Sequence, residues 1–351
     1  MLIPKPYIIP IFIPQLGCPH QCVYCHQPTI TGVKPYLNLK QIKNHIEFFL
    51  FRKRHPRRKD GQIAFYGGSF TALNPKWRKK LLTLAFQYVQ TKQVHSIRLS
   101  TRPDTINEIV LTELKTYGVK TIELGVQSLD DNVLDISQRG HNAEAVFKAT
   151  ELIKAWGFQL GWQLMPGLPG ESAKSRKNTI DGVINGQPDF VRIYPTLVLK
   201  NTVLAKWWEE KKYLPLSLAE AIEICKEMVL VFQKANIPVI RIGLQASESL
   251  MQPGHILAGP WHPAFGELVK SAIILEKIKI ILEDYFSKAK IINIFVHPSR
   301  FSQVMGQKRG NYQKLKTYFP KKRIAIFSDL GLKKEEIKIV TLGEKPVCLV
   351  W

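Results

Sequence analysis

The sequence predicts an α/β protein: a partial (β/α)6, TIM-like barrel followed by a small C-terminal α/β extension. Three observations carry this. Apolar runs with strand periodicity alternate with helix-periodic segments six times between Ile8 and Thr196. The strand-like runs are short and apolar, as fits strands covered on their outer face by helices. Strict alternation implies a parallel sheet with right-handed crossovers, and six such units close most of a barrel.

Ile8 to Ile13 reads as the first strand, β-branched and bounded by prolines. Asn38 reads as the cap of a helix running to about Arg54, with Ile42, Ile46, Phe49 and Leu50 on one face. The run from Arg52 to Lys59 is then a basic loop. Gln62 to Tyr66 is the second strand, and Asn74-Pro75 opens the next helix with proline at its first position. The third strand is Ser96 to Ser100, followed by Thr101-Arg-Pro-Asp104 and a helix from about Thr105 to Tyr117. Thr121 to Gly125 is the fourth, leading through Arg139-Gly-His141 into a helix from Asn142 to Trp156. Gln159 to Met165 is the fifth, closed by Pro166-Gly-Leu-Pro-Gly170, after which Ser172 caps a helix. Phe190 to Thr196 is the sixth.

Beyond the barrel, Ser217 to Ala235 is an amphipathic helix with Cys225 on its apolar face, and Val239 to Gly243 is a further strand. The segment 254–266 is a loop whose His255, Trp261 and His262 either cover the barrel mouth or form an irregular cap. A helix from Phe265 to Ser287 precedes a small α/β unit with strands Ile291 to Val296, Arg323 to Phe327 and Ile337 to Thr341, and a helix from Tyr312 to Tyr318. Cys348, in a last strand, reads as a core cysteine like Cys225. The domain boundary falls at 235: residues 1–235 form the barrel and residues 236–351 a cap and basic extension.

No run of eighteen apolar residues exists, so no membrane-spanning helix is expected. The N-terminal stretch is broken by four prolines and lacks a basic head, so it does not read as a signal peptide. Clustered cysteines that stay reduced point to the cytoplasm. The formal charge is +22, and it is uneven. Residues 1–60 carry ten Lys/Arg against two acids, and residues 286–345 carry fourteen against four. Basic ends of this kind attract phosphate backbones, which makes nucleic acid a candidate partner; a merely solvated lysine-rich surface is the other reading. The turn Gly306-Gln-Lys-Arg-Gly310 before a helix would bring Lys308 and Arg309 to such a backbone.

The chemistry centres on Cys18-Pro-His-Gln-Cys22-Val-Tyr-Cys25. Three thiolates this close can reach one metal centre and leave one position open, which suits a bound small molecule. A zinc site completed by His20 or His26 is the alternative. The C-terminal ends of the next strands carry Gly67, Gly68 and Ser69, then Ser100 and Arg102, then Gln127, Arg139 and Gln163. In barrels of this kind, residues at successive strand ends converge on one cavity.

The C-x3-C-x2-C spacing resembles that of the radical S-adenosylmethionine (SAM) superfamily. The resemblance implies a partial (β/α)6 barrel of the radical SAM type. Cys18, Cys22 and Cys25 would ligate a [4Fe-4S] cluster whose fourth iron binds SAM. Tyr24 would lie near the adenine, together with the turn from Met165 to Pro169. Gly67 and Gly68 resemble the family's Gly-Gly-Glu motif, with Ser69 in place of the acid. Arg139 is the candidate for the methionine carboxylate, and Ser100, Gln127 and Gln163 for the ribose, with Arg102 at the same rim. The implied reaction is reductive cleavage of SAM to a 5′-deoxyadenosyl radical that abstracts hydrogen from a substrate. A reductant such as flavodoxin or ferredoxin would supply the electron.

The phrases Gly68-Ser-Phe-Thr-Ala-Leu73, Glu123-Leu-Gly-Val-Gln-Ser128, Met165-Pro-Gly-Leu-Pro-Gly170 and Ile193-Tyr-Pro-Thr-Leu197 are similar to the Elongator catalytic subunit. This likeness runs from about Ile8 to Ile224, about 60 per cent of the chain. It implies RNA, tRNA first, as the substrate. The acetyl-CoA loop of that family has no match beyond Gln307-Lys-Arg-Gly310-Asn-Tyr312, so a branch without the acetyltransferase domain is expected. Two alternatives stand beside it. One is a radical SAM enzyme acting on a small molecule or tetrapyrrole, like the oxygen-independent coproporphyrinogen oxidases. The other is an RNA-binding protein with a structural metal centre.

Overall fold

The computed structural model describes residues 6–13, 15–33, 37–51, 61–341 and 346–350. The expected basic loop from Arg52 to Lys59 lies outside them. The chain divides into two compact units, Met1–Ala221 with Val231–Trp261, and Ile222–Leu230 with His262–Trp351.

The first unit opens with β1 (Ile8–Ile13), α1 (Gln27–Thr31), α2 (Leu39–Phe51), β2 (Gln62–Gly67), α3 (Pro75–Gln90) and β3 (Ser96–Thr101). It continues with α4 (Glu108–Thr116), β4 (Val119–Gln127), α5 (Asp131–Ile136), α6 (Ala143–Ala155), β5 (Gln159–Leu164), α7 (Ala173–Gly186) and β6 (Phe190–Ile193). Then follow β7 (Val198–Leu199), α8 (Val203–Glu209), α9 (Leu218–Lys234), whose residues are shared by both units, β8 (Val239–Ile242) and β9 (Ile256–Ala258). The main sheet runs β1-β2-β3-β4-β5-β6-β8, every neighbour parallel. It is the curled parallel half-barrel that the alternation predicts, with one strand more.

That seventh strand, β8, pairs with β6 through Val191↔Val239. Sequence reading assigns it to the extension because a long insertion containing β7, α8 and α9 separates it from β6, and because it has only four residues.

Capping explains where the helices start. Asn74, Asn107, Asp130, Asn142 and Thr202 each accept a backbone N–H of the first turn, and Ser172 and Ser217 form capping boxes. Asn107 moves the start of α4 to Glu108, after a 3-10 turn at Pro103–Thr105, rather than Thr105. Helix α1 was not legible: five residues hold no periodic signal, and its cap is a histidine, His26. Strand interiors bury Ile9, Ile11, Ile63, Phe65, Ile97, Leu99, Ile122, Leu124, Leu160 and Trp162. Trp162 satisfies its indole N–H on Thr150 Oγ1 at 3.1 Å.

The second unit holds α10 (Phe265–Asp284), β10 (Ile291–Val296), α11 (Phe301–Met305), α12 (Gly310–Tyr318), β11 (Arg323–Ser328), β12 (Glu336–Thr341) and β13 (Val347–Val350). Its sheet runs β11-β10-β12-β13, with β10 and β11 parallel and the other pairs antiparallel. Ahead of the expected turn from Gly306 to Gly310 the structure adds the short helix α11. Cys225 is buried as expected, whereas Cys348 is exposed: it lies on the edge strand β13 opposite Lys338, on the sheet's outward face.

Candidate active site at the strand ends

The cysteine loop leaves β1 and folds back over the end of β2. Two hydrogen bonds hold it there, Gly68 N–H to Ile13 O at 2.9 Å and Ser69 N–H to Leu16 O at 3.0 Å. Gly68 makes this approach possible. A β-carbon on it would lie 1.9 Å from Leu16 O and 2.7 Å from Ile13 O. The far side of the loop is fixed by Val23 N–H to Ser137 O at 3.2 Å and by Leu204 N–H to Val23 O at 2.8 Å.

The loop forms one wall of a cavity of about 480 Å³ at the C-terminal ends of the barrel strands. Cys18, Cys22 and Cys25 line it, and so do Tyr24, Gly67, Gly68, Ser100, Arg102, Gln127, Arg139 and Gln163. Eleven of the twelve expected site residues therefore meet at one cavity. Ser69 does not: it is buried beneath the rim, its hydroxyl 3.0 Å from Thr101 Oγ1 in a network with Thr71 and Thr105.

Several expected contacts have partners of their own. The Gly67 carbonyl accepts from Gln27 Nε2 at 2.6 Å. Gln163 Nε2 donates to Gln127 Oε1 at 3.3 Å, and Gln127 sits at φ 70°, at a register shift that turns the end of β4. Arg102 pairs with Asp104 at 2.9 Å, leaving its buried Nη1 without a partner.

Arg139 is the electrostatic centre. Its Nη1 donates to Cys22 Sγ at 3.3 Å, its Nη2 to the Gly125 carbonyl, and its buried Nε has no partner. The anionic form of neighbouring groups outweighs burial and holds Arg139 firmly charged. Burial pushes the Cys25 thiol up to about 12, with Cys22 and Cys18 adding to it and Arg139 opposing it. Burial raises Cys18 too, against the pull of Arg139. Burial and Arg139 lower His141 to about 4.

Sequence reading missed two groups. Gln15 and Gln27 brace the loop, with Gln15 N–H on Gln27 Oε1 at 3.0 Å, and both line the cavity. Glu123 anchors a buried ionic cluster, 3.0 Å from Arg98 and 2.7 Å from Arg192, and accepts from the Tyr66 hydroxyl at 3.2 Å. Arg192 also donates to the Tyr194 hydroxyl at 3.1 Å, and Glu123 and Tyr194 line the cavity. Burial and Glu123 hold the Tyr66 phenol well above its ordinary value. Charged residues inside otherwise apolar strands, Arg98, Glu123 and Arg192, were the available signal.

The donor chemistry fits an iron–sulfur cluster with SAM. Three sulfur donors stand along one cavity wall, and the cavity-lining Arg102 and Arg139 each hold back a buried N–H for a ligand acceptor. Among the described residues, no three His, Cys, Asp or Glu side chains converge as a single ion requires.

This fold and site agree with the family comparison. A model of the radical SAM superfamily matches residues 12–183, and one of the radical SAM C-terminal domain matches residues 188–274. The chain belongs to the radical SAM superfamily and is an enzyme of the radical SAM type. Within that superfamily it is similar to a tRNA uridine(34) acetyltransferase of Methanocaldococcus infernus, 26% identical over 62% of this chain and 48% of the relative. It is 32% identical to the Bos taurus Elongator complex protein 3 over 36% of this chain and 24% of that protein. The solved structure of N-terminally truncated M. infernus Elp3 covers 78% of this chain, at 26% identity and a TM-score of 0.61, with 63% of its own chain matched. The chain spans about half the length of the tRNA uridine(34) acetyltransferases it matches. Among the described residues no helix is long and apolar enough to cross a membrane.

Proposed function

We propose that this chain holds a [4Fe-4S] cluster on Cys18, Cys22 and Cys25, binds SAM in the adjoining cavity, and acts on RNA, with tRNA the leading substrate. The observation that carries the reading is the meeting of the three cysteines with eight of the nine other expected strand-end residues at one cavity. The tRNA-modifying names of the relatives and the +22 charge support RNA.

Bound there, cluster and SAM would supply one-electron cleavage of the sulfonium and a carbon radical able to abstract hydrogen. The chain's own residues supply the rest. Arg139 offsets the thiolate charge beside Cys22, and its free Nε offers one N–H to a carboxylate. Tyr24 and Met165, which line the cavity and are backed by the buried Leu168, offer an apolar surface suited to a purine. Gln127 and Gln163, paired with each other, offer amide groups to ribose hydroxyls. Glu123 and Tyr194 form a polar floor held rigid by Arg98 and Arg192. The thiols must lose their protons on loading, so assembly of the centre releases protons.

The test is formation of 5′-deoxyadenosine by the anaerobically reconstituted, reduced protein, with and without bulk tRNA. We expect product from wild type, more with tRNA, and none from Cys22→Ala. Product that ignores tRNA refutes the substrate; no product under any condition refutes the chemistry.

A further inference from the structure

We infer that the outward face of the C-terminal sheet is a base-stacking platform for single-stranded RNA. The inference deepens the RNA reading above and rests on it. In β10, Ile292, Ile294 and Val296 are buried in a core shared with Ile278 and Leu282 of α10 and Leu315 of α12. Helices therefore cover the inner face. The alternate residues Ile291, Asn293 and Phe295 point the other way, in register with Arg323, Ala325 and Phe327 of β11.

Phe295 and Phe327 stack on this face, ring centres 5.4 Å apart and planes at 27°. Phe327 is 45% exposed and Ile291 40% exposed. An aromatic pair on neighbouring strands of a four-stranded sheet, with Phe327 exposed and Phe295 half-buried behind it, is what single-stranded bases stack on.

Charge selects the occupant. Between Lys288 and Arg323 the chain carries ten Lys/Arg and no acid. Arg323 stands on the platform beside Ile291, and Lys338 of β12 is opposite Phe295. Lys322 is used internally, donating to the carbonyls of Phe286, Ser287 and Ala289. Lys308 and Arg309 are exposed, held at φ 50° and 61° ahead of α12 by a groove that Tyr312 lines. The acid on the platform strands, Glu336, is already bound by the Lys333 backbone N–H at 3.0 Å. A second copy of this chain would bring like charge against like, which disfavours self-association. A polyanion with exposed aromatic bases meets both features: Phe327, backed by Phe295, takes a base, and Arg323 and Lys338 take phosphates.

The test measures binding of a short fluorescein-labelled oligouridine to the full chain by anisotropy, across a salt series, for wild type, Phe327→Ala, Phe327→Tyr and Arg323→Gln. Phe327 is exposed, so its truncation leaves the core intact, and circular dichroism checks this. We expect Phe327→Ala to weaken binding by about tenfold or more with the salt slope unchanged, and Phe327→Tyr to stay within about twofold of wild type. Arg323→Gln should reduce the salt slope by about 0.7. Wild-type affinity in Phe327→Ala, or no binding by wild type, overturns the platform. A wild-type dimer that Phe327→Ala dissociates, with RNA binding unchanged, assigns the face to a second copy and overturns it too. The readout needs no SAM cleavage, so loss of 5′-deoxyadenosine formation would sink the radical chemistry without touching this result.

Discussion

Replacing Gly68 by alanine should displace the cysteine loop. The added β-carbon would lie 1.9 Å from Leu16 O, and ordinary contact begins near 3.4 Å, so that carbonyl must retreat by about 1.5 Å. It cannot do so alone, because Leu16 O accepts the Ser69 N–H and Ile13 O accepts the Gly68 N–H. Overpacking costs about 1–3 kcal/mol. Weakening these two hydrogen bonds adds about 1 kcal/mol each, for a total of about 3–5 kcal/mol. Urea unfolding of the metal-free protein measures the loss, and iron bound after anaerobic reconstitution measures the effect on the loop; both should fall. Gly310→Ala is the control, since its β-carbon meets nothing within 4 Å and its backbone is helical. It should be neutral or stabilise by up to about 1 kcal/mol. If Gly68→Ala matches wild type in midpoint and iron content, the close approach of β2 to the loop is not what holds the cysteines.

Three further outcomes follow from the buried charges. Glu123→Gln leaves Arg98 and Arg192 without their carboxylate in the barrel and should cost about 3–5 kcal/mol in urea unfolding; a loss under about 1 kcal/mol would contradict the cluster's role. Arg139→Gln removes the charge that lowers Cys18 and Cys25, so the metal-free variant should react with iodoacetamide more slowly than wild type at about pH 8; equal or faster alkylation counts against that coupling. His141 is held down to about 4 from an ordinary 6.5, so between those values the unfolded chain takes up a proton that the folded chain refuses. Its stabilising contribution is complete above pH 6.5 and is lost as the pH falls towards 4, amounting to about 1–2 kcal/mol for a part-exposed ring. His141→Gln should flatten that acid-side slope in urea midpoints, and an unchanged slope would refute the assignment.

The barrel was legible because its strands are apolar and its helices open on Asn, Asp, Ser and Thr caps, local signals that tertiary structure did not override. The cysteine wall was legible from spacing alone. What escaped depends on long-range pairing. Val239–Ile242 is legible as a strand, but its place in the barrel sheet as β8 is set by its register with β6, after more than forty intervening residues. The extent of β4 to Gln127 depends on a register shift against β5. Gly68 is called for by its close approach to Leu16 O, and Ser69 is held by the hydroxyls of Thr101 and Thr105, contacts that join residues far apart in the chain. Gln15 and Gln27 look like ordinary loop residues until the strap between them closes. Glu123 sits in the phrase Glu123-Leu-Gly-Val-Gln-Ser128, yet its partners Arg98 and Arg192 stand 25 and 69 residues away.

The most direct test of the cluster-and-SAM site is electron paramagnetic resonance of the reconstituted, reduced protein before and after adding SAM. A reduced [4Fe-4S] signal that changes on adding SAM, and is lost in Cys22→Ala, is the predicted result. A protein that binds zinc instead of iron, or a cluster signal that SAM leaves unchanged, would contradict it.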